Sequence, residues 1–112
     1  METIPIAILG ATGMVGQRMI ERLVHHPQFH IEYLGASPRS AGKSYRNACV
    51  WRLGSPCPTD IQNRIVGGCD VEAVPSTCRL IFSALDSSVA GKIEEAHAEN
   101  GRFVVSNASN NR

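Results

Sequence analysis

The chain has 112 residues, a length that favours one domain, and 43% of them are hydrophobic, enough to build a core. Eleven basic and ten acidic side chains leave a net charge of +1, which gives no reason to expect a nucleic acid or an anionic membrane as partner. No apolar run approaches the ~20 residues of a membrane span. The Met-Glu-Thr start has no basic segment, which argues against a signal peptide.

The most informative stretch lies near the N-terminus. An apolar run at residues 4–9 leads into Gly-Ala-Thr-Gly-Met-Val-Gly-Gln at residues 10–17, and a helical pattern follows. A buried strand, a glycine-rich turn and a helix form the phosphate-binding start of a dinucleotide-binding domain. The spacing Gly-x-x-Gly-x-x-Gly is not the commoner Gly-x-Gly-x-x-Gly, and a purely structural tight turn is the alternative.

Each glycine of this turn has a predicted physical role. Gly10 lets the chain leave the strand in a conformation that is closed to residues with a Cβ. Gly13 lets the backbone approach a pyrophosphate, and Gly16 lets the helix pack closely against the sheet. The N–H groups of residues 12–15, at the positive end of the helix dipole, would hold the phosphates.

The first helix is predicted from about residue 14 to residue 26. Val15, Met19 and Leu23 line one face at helical spacing, and Pro27 ends the helix. Strand two follows at about residues 30–36.

The turn after strand two indicates which cofactor is bound. A site specific for NAD would place a carboxylate there for the ribose hydroxyls, but residues 37–43 (Ser-Pro-Arg-Ser-Ala-Gly-Lys) contain none. Their two hydroxyls and two cations suit the dianionic 2′-phosphate of NADP. A solvated basic turn without a ligand is the alternative.

The remaining elements alternate between strand and helix. Residues 51–53 are predicted as a short strand that breaks into a loop, with Trp51 as a packing residue, and residues 71–74 as a second short strand. Residues 80–85 form a buried strand of the kind found in parallel sheets. A helix follows from the cap at residues 86–88 to about residue 100, with Val89, Ile93 and Ala96 facing inward. Gly101 closes that helix, and residues 103–105 form one more strand.

This βαβ series predicts an α/β, Rossmann-type doubly wound domain with a mostly parallel sheet over residues 1–112. The glycine turn and the segments after the other strands gather at one edge, where ligands bind in such folds. Cys49, Cys57, Cys69 and Cys78 have no zinc-ligand spacing, so no metal is expected. They are predicted to be free thiols in a cytoplasmic protein, with disulfides as the alternative.

Several stretches together resemble aspartate-semialdehyde dehydrogenases. They are residues 10–17, 36–43, 50–53 (Val-Trp-Arg-Leu), 82–85 (Phe-Ser-Ala-Leu) and 105–109 (Val-Ser-Asn-Ala-Ser), in the family's order and spacing. The Trp-Arg-Leu and Ser-Asn-Ala-Ser runs are most similar to the archaeal and fungal branch. The resemblance implies reduction of β-aspartyl phosphate to aspartate semialdehyde with NADPH, on the route to threonine, methionine and lysine.

The resemblance also implies a set of binding residues. For the cofactor these are Gly10, Thr12, Gly13, Met14, Val15 and Gly16 at the pyrophosphate, Ser37, Arg39 and Ser40 at the 2′-phosphate, and Ser83, Ala84, Leu85 and Asn107 along the cofactor, with Asn107 near the nicotinamide. Arg112 matches the arginine that binds the substrate phosphate, and a frayed terminal side chain is the alternative.

One part of the family pattern has no counterpart in these 112 residues. The family's nucleophilic cysteine, its acid/base histidine and its substrate and dimerisation domain lie further along, so the chain alone is expected to hold a cofactor without turnover. The longer product would be a homo-oligomer. Two alternatives remain: a related malonyl-CoA or N-acetylglutamyl-phosphate reductase, and a small module that binds NADP without catalysis.

Overall fold

The computed structural model describes residues 2–106, so Asn107 and Arg112 lie outside the described residues. Strands and helices occur in the order β1 Ile4–Leu9, α1 Met14–Leu23, β2 Phe29–Gly35, α2 Tyr45–Ala48, α3 Thr59–Gln62, β3 Leu80–Ser83, α4 Ser87–Glu99 and β4 Phe103–Ser106. The predicted α/β class is confirmed. None of the helices within residues 2–106 is both long and apolar enough to cross a membrane.

The described strands form one parallel sheet in the order β2-β1-β3-β4. β2 lies on one side of β1, and β3 lies on the other side, so the direction of winding reverses at β1. Such a reversal leaves a crevice at the carboxyl ends of the two central strands. In this chain the crevice lies between the residues that follow β1 and those that follow β3.

The core fills the space on both faces of the central strand. Ile6 and Ile8 pack with Ile20 of α1 on one face. Ala7 belongs to a second cluster on the opposite face, against which the partly buried Ile93 of α4 packs. Because β1 is buried on both faces, it must be apolar at nearly every position, which is why its sequence shows no alternation.

The first helix is shorter than predicted, and its predicted inner face is right at Met19 and Leu23 but not at Val15. It ends at Leu23, and residues 24 and 25 form a turn before Pro27 that is closed by a bond from His26 N to Leu23 O at 3.1 Å. Its buried residues are Gly16, Gln17, Ile20 and Leu23, whereas Val15 is 40% exposed. The predicted inward position of Val15 was wrong, because the closest approach to the sheet is made by the small residue Gly16.

The predicted inner stripe of the last helix was right at Ile93, which packs against the core, and wrong at Val89 and Ala96. The helix boundaries agree with the prediction, with Asp86 as N-cap and Gly101 at a φ of 89° after the last turn. However, Ala90, Glu94 and His97 are buried, while Ala96 is exposed and Val89 is 47% exposed. Hydrophobicity gave only part of the inner face, because Glu94 and His97 are buried with polar partners that a sequence pattern does not reveal.

Two predicted short strands lie in loops in the described structure. Residues 51–53 are irregular, although Trp51 packs against the core as predicted. Residues 71–74 form a turn in which the N–H groups of Ala73 and Val74 donate to Asp70 O at 3.0 and 3.2 Å. The carbonyl of Val74 accepts a hydrogen bond from the Arg102 guanidinium at 3.0 Å. A side chain therefore satisfies a carbonyl group that the backbone of a neighbouring strand would satisfy in a sheet.

Candidate functional site

The glycine-rich turn has the backbone geometry that the sequence predicts at Gly10. Its φ is 76°, and a Cβ there would lie 2.7 Å from Ala84 O, so a side chain is excluded by conformation and by space. The N–H groups of Gly10 and Ala11 both donate to Gly35 O, at 2.9 and 3.0 Å. β1, β2 and the segment after β3 therefore meet at this single glycine.

Gly16 has the predicted packing role. A Cβ on Gly16 would collide with the Gly10 carbonyl oxygen and would lie 2.7 Å from Ala11 Cα. Since these are backbone atoms that cannot rotate away, α1 can approach the turn this closely with glycine alone.

The N-terminus of α1 opens toward a cleft. Gly13 is the N-cap, and because glycine has no side chain to cap the helix, the first-turn N–H groups are left for solvent or a ligand. Gly13 is exposed, and a Cβ built on it would meet Gly10 O at 3.9 Å, an ordinary contact distance. The space in front of this N-terminus fits an anionic phosphate group.

The cleft occupies the predicted crevice and has a volume of about 460 Å³. Its lining comes from five segments, namely the glycine turn, the residues after β2, the loop before β3, the residues after β3 and the first half of α4. The lining residues are Gly10, Thr12, Gly13, Ala36, Ser37, Pro38, Gly68, Cys69, Asp70, Ala84, Leu85, Asp86, Val89 and Ile93.

The structure brings six of the predicted cofactor residues to this cleft: Gly10, Thr12, Gly13, Ser37, Ala84 and Leu85. Met14 and Val15 are exposed at the adjoining end of α1. Ser83 is different, because its side chain is fully buried, and the nearby N–H of Leu85 lies 3.5 Å from its Oγ. Ser83 thus supports the backbone at the cleft rather than lining it.

The turn after β2 presents two of its three predicted residues to solvent. Backbone bonds from the N–H groups of Ser40 and Ala41 to Ser37 O, at 2.9 and 3.1 Å, close the turn. Ser37 and Arg39 are exposed, whereas Ser40 is 8% exposed. Ser37 and Arg39 are therefore better placed than Ser40 to meet an anion.

Sequence reasoning missed the wall formed by residues 68–70. This wall includes the carboxylate of Asp70. It comes at the end of the long segment after β2, in which the sequence shows no clear helical or strand periodicity. The adjacent glycines 67 and 68 are the one sequence signal there. The Gly67 backbone touches the Tyr33 hydroxyl so closely that a Cβ would overlap it.

A buried histidine–arginine pair holds this wall from behind. Arg102 Nη1 donates to His97 Nδ1 at 2.8 Å, and His97 Nε2 lies 2.8 Å from Cys69 O. A guanidinium can only donate, so Nδ1 must accept, and the imidazole carries its proton on Nε2, which donates to Cys69 O. Arg102 also donates to Val74 O, which fastens the loop behind the cleft at a second point.

The described residues include all four cysteines, and each of them is a free thiol. Burial raises the pKa of Cys49, Cys57, Cys69 and Cys78. A raised pKa keeps a thiol protonated, which is the opposite of what an activated nucleophile needs. Cys69 lines the cleft, but its raised pKa is not that of a reactive thiol.

The strand order, the glycine turn and the cleft define a Rossmann-type dinucleotide-binding domain. The chain belongs to the semialdehyde dehydrogenase family, since the family profile described as "Semialdehyde dehydrogenase, NAD binding domain" matches residues 5–112.

Individual relatives support the same assignment. The aspartate-semialdehyde dehydrogenase of Candida albicans is 49% identical over 105 residues, which is 94% of this chain and 29% of the relative. The enzyme of the same name from Methanothermobacter thermautotrophicus is 44% identical over 104 residues, 93% of this chain and 29% of the relative. The predicted resemblance to the fungal and archaeal branch is confirmed.

A solved structure extends the comparison to three dimensions. The crystal structure of aspartate semialdehyde dehydrogenase with NADP from Candida albicans superposes with a TM-score of 0.92 at 46% identity, and the match covers 97% of this chain and 30% of that chain. The chain therefore spans about 30% of the length of the relatives it matches.

Proposed function

We propose that this chain binds NADP(H) as the cofactor-binding part of an aspartate-semialdehyde dehydrogenase. The observation that carries the proposal is the uncapped N-terminus of α1 behind Gly13, which opens into the cleft at the reversal of strand order. This arrangement fits a pyrophosphate. The Candida albicans neighbour, which is described as having NADP, supports the choice of nucleotide.

Each predicted residue has a role in this proposal. The N–H groups of residues 12–15 hold the pyrophosphate, and Gly10 and Gly16 give the turn its shape. Ser37 and Arg39 bind the 2′-phosphate, with Ser40 behind them. Ala84 and Leu85 run along the cofactor, and Ser83 supports them.

Two further roles belong to residues outside the described part of the chain. Asn107 would lie near the nicotinamide, and Arg112 would bind the substrate phosphate. Both roles rest on the sequence resemblance.

For the whole enzyme we propose the reduction of β-aspartyl phosphate to aspartate semialdehyde. The bound cofactor supplies the hydride. The raised pKa values of all four thiols in this chain support a division of labour in which the acyl-accepting cysteine and the acid/base histidine lie outside these 112 residues. The same proposal places the protein in the cytoplasm as a homo-oligomer, and its free thiols support that compartment.

The test is cofactor preference. The unaltered chain should bind NADPH more tightly than NADH, because Arg39 offers a guanidinium to the extra phosphate. Arg39→Ala should weaken NADPH binding by about 1.5–3 kcal/mol, roughly 10- to 150-fold, and leave NADH binding unchanged. Titration calorimetry with both nucleotides measures this directly.

A matched control separates the site from general charge effects. Arg22 is also exposed, on α1, and does not line the cleft. Arg22→Ala should keep the preference for NADPH. Equal affinity of the unaltered chain for both nucleotides would contradict the assignment of Arg39, and no binding of either would contradict the proposed function.

A further inference from the structure

Two buried side chains, Tyr45 and Gln17, hold the carbonyl groups of the glycine-rich turn. The Tyr45 hydroxyl donates to Ala11 O at 2.7 Å, and the bond is buried. Gln17 Nε2 donates to Thr12 O at 3.1 Å. Neither residue lines the cleft, so any influence they have on a ligand must pass through the backbone of the turn.

The Tyr45 bond determines where the neighbouring N–H group points. In a trans peptide the C=O and the following N–H point in opposite directions. The described residues contain no cis peptide bond, so the N–H of Thr12 points away from Tyr45. Thr12 itself lines the cleft. Holding Ala11 O in the core therefore holds the Thr12 N–H outward.

Tyr45 is well suited to this task. It is 1% exposed, and burial raises the pKa of its phenol, so the hydroxyl remains a donor throughout the physiological range. Its ring also packs edge-on against Trp51, with the centroids 6.3 Å apart. The donor is thus fixed in place before any ligand arrives.

Gln17 binds the turn to a second segment. Its Oε1 accepts from Arg52 N at 2.8 Å, and its Nε2 also donates to Val50 O at 3.0 Å. The amide orientation follows from these partners, because Arg52 N can only donate and the Thr12 and Val50 carbonyls can only accept. Gln17 is 1% exposed, so each of these groups would lose its partner if the amide were removed.

We infer that Tyr45 and Gln17 are positioning residues of the cofactor site, which hold the glycine-rich turn with its N–H groups directed at the pyrophosphate before the nucleotide binds. This inference rests on the proposed binding of NADP(H). Without these bonds the turn samples other conformations, and the apparent dissociation constant rises in inverse proportion to the fraction of molecules whose turn remains competent to bind. The segment at residues 50–52 thereby becomes part of the site although it does not touch the cleft.

The experiment compares two ligands on the full 112-residue chain. NADPH needs the turn, whereas adenosine 2′-monophosphate carries the adenosine and the 2′-phosphate but no pyrophosphate.

Tyr45→Phe, which removes one hydroxyl, should weaken NADPH binding about three- to tenfold. Gln17→Met, which removes the bonds to Thr12 O, Val50 O and Arg52 N at similar volume, should weaken it about tenfold or more. Both variants should bind adenosine 2′-monophosphate within about twofold of the unaltered chain, because that ligand does not use the turn.

A control variant accounts for loss of stability alone. Ile61 is buried in the core on α3 and does not line the cleft. Ile61→Val should lower the melting temperature by an amount similar to Tyr45→Phe and leave both affinities unchanged.

The outcomes separate the two proposals. An unchanged NADPH affinity in both variants, or an equal loss for both ligands, would overturn the positioning role while leaving the proposed function intact. Absence of NADPH binding by the unaltered chain would overturn the proposed function itself.

Discussion

The three glycines of the turn at residues 10–16 have different consequences at the scale of single residues. Gly10 is required by its backbone conformation, and Gly16 by its contact with backbone atoms of the turn. Gly13 has an ordinary φ of −81°, and a Cβ there would meet no atom closer than 3.9 Å. A side chain at Gly13 would therefore affect a bound ligand rather than the fold.

This difference predicts opposite results for two alanine substitutions. Gly16→Ala should destabilise the chain by about 3 kcal/mol or more, because the methyl group collides with the Gly10 and Ala11 backbone. Gly13→Ala should change stability by less than about 1 kcal/mol, but should weaken NADPH binding at least about tenfold by filling space at the phosphate position. Urea denaturation and calorimetric titration of both variants measure the two effects. Similar losses of stability in the two variants would refute this assignment of roles.

The clearest feature at the scale of single elements is the face that α4 presents to the protein. Ala90 and His97 are fully buried, while Ala96 is exposed on the same helix. The burial of His97 depends on Arg102, which follows the helix and reaches back to it. A helix whose polar residues are buried with partners cannot be oriented by its hydrophobic pattern alone.

A matched pair of substitutions tests this orientation. Ala90→Gln should cost about 2 kcal/mol or more, because it forces a long amide into a filled core. Ala96→Gln should stay within about 0.5 kcal/mol, because an exposed helical position tolerates a good helix former. Thermal unfolding of the two variants gives the comparison. If Ala96→Gln proved the more damaging, the orientation of α4 described above would be wrong.

At the scale of the whole molecule, the four partly or fully buried thiols couple the free energy of unfolding to pH. Folding raises the pKa of all four cysteines by burial, above the value of about 8.5 that applies to the unfolded chain. Above that pH the unfolded chain binds fewer protons than the folded chain, so the free energy of unfolding falls as pH rises. Below it, the contribution of the thiols is fully present.

We therefore expect the urea midpoint to be constant between about pH 7 and pH 8 and to decline from about pH 8.5 upward. Cys69 and Cys78 are both buried, so a chain with Cys69→Ala and Cys78→Ala should show a shallower decline, whatever its stability at pH 7. Midpoints measured at half-unit intervals give the slope. A midpoint that stays level or rises up to pH 10 would contradict the predicted role of the thiols.

The sequence by itself determined the class of fold, and its local motifs predicted the edge of the sheet at which the candidate site lies. The apolar run of β1, the glycine turn and the helix after it are local patterns. The conformation of a strand-to-helix turn depends mainly on those few residues. The same holds for the basic turn after β2 and for α4, which begins after Asp86 and ends before Gly101. Family resemblance was also readable from the sequence, because it depends on the order of short motifs.

The tertiary structure alone decided which faces are buried and what supports the site. The hydrogen-bond partners of Gln17, Tyr45, His97 and Arg102 lie up to 35 residues away in the sequence, so no local sequence pattern predicts these bonds. The same reason explains why residues 51–53 and 71–74 were wrongly predicted as strands, since their carbonyl and N–H groups are satisfied by loops and by side chains. A hydrogen bond between distant residues exists only once the chain has folded, and such bonds hold the turn, the wall and the helix around the cleft.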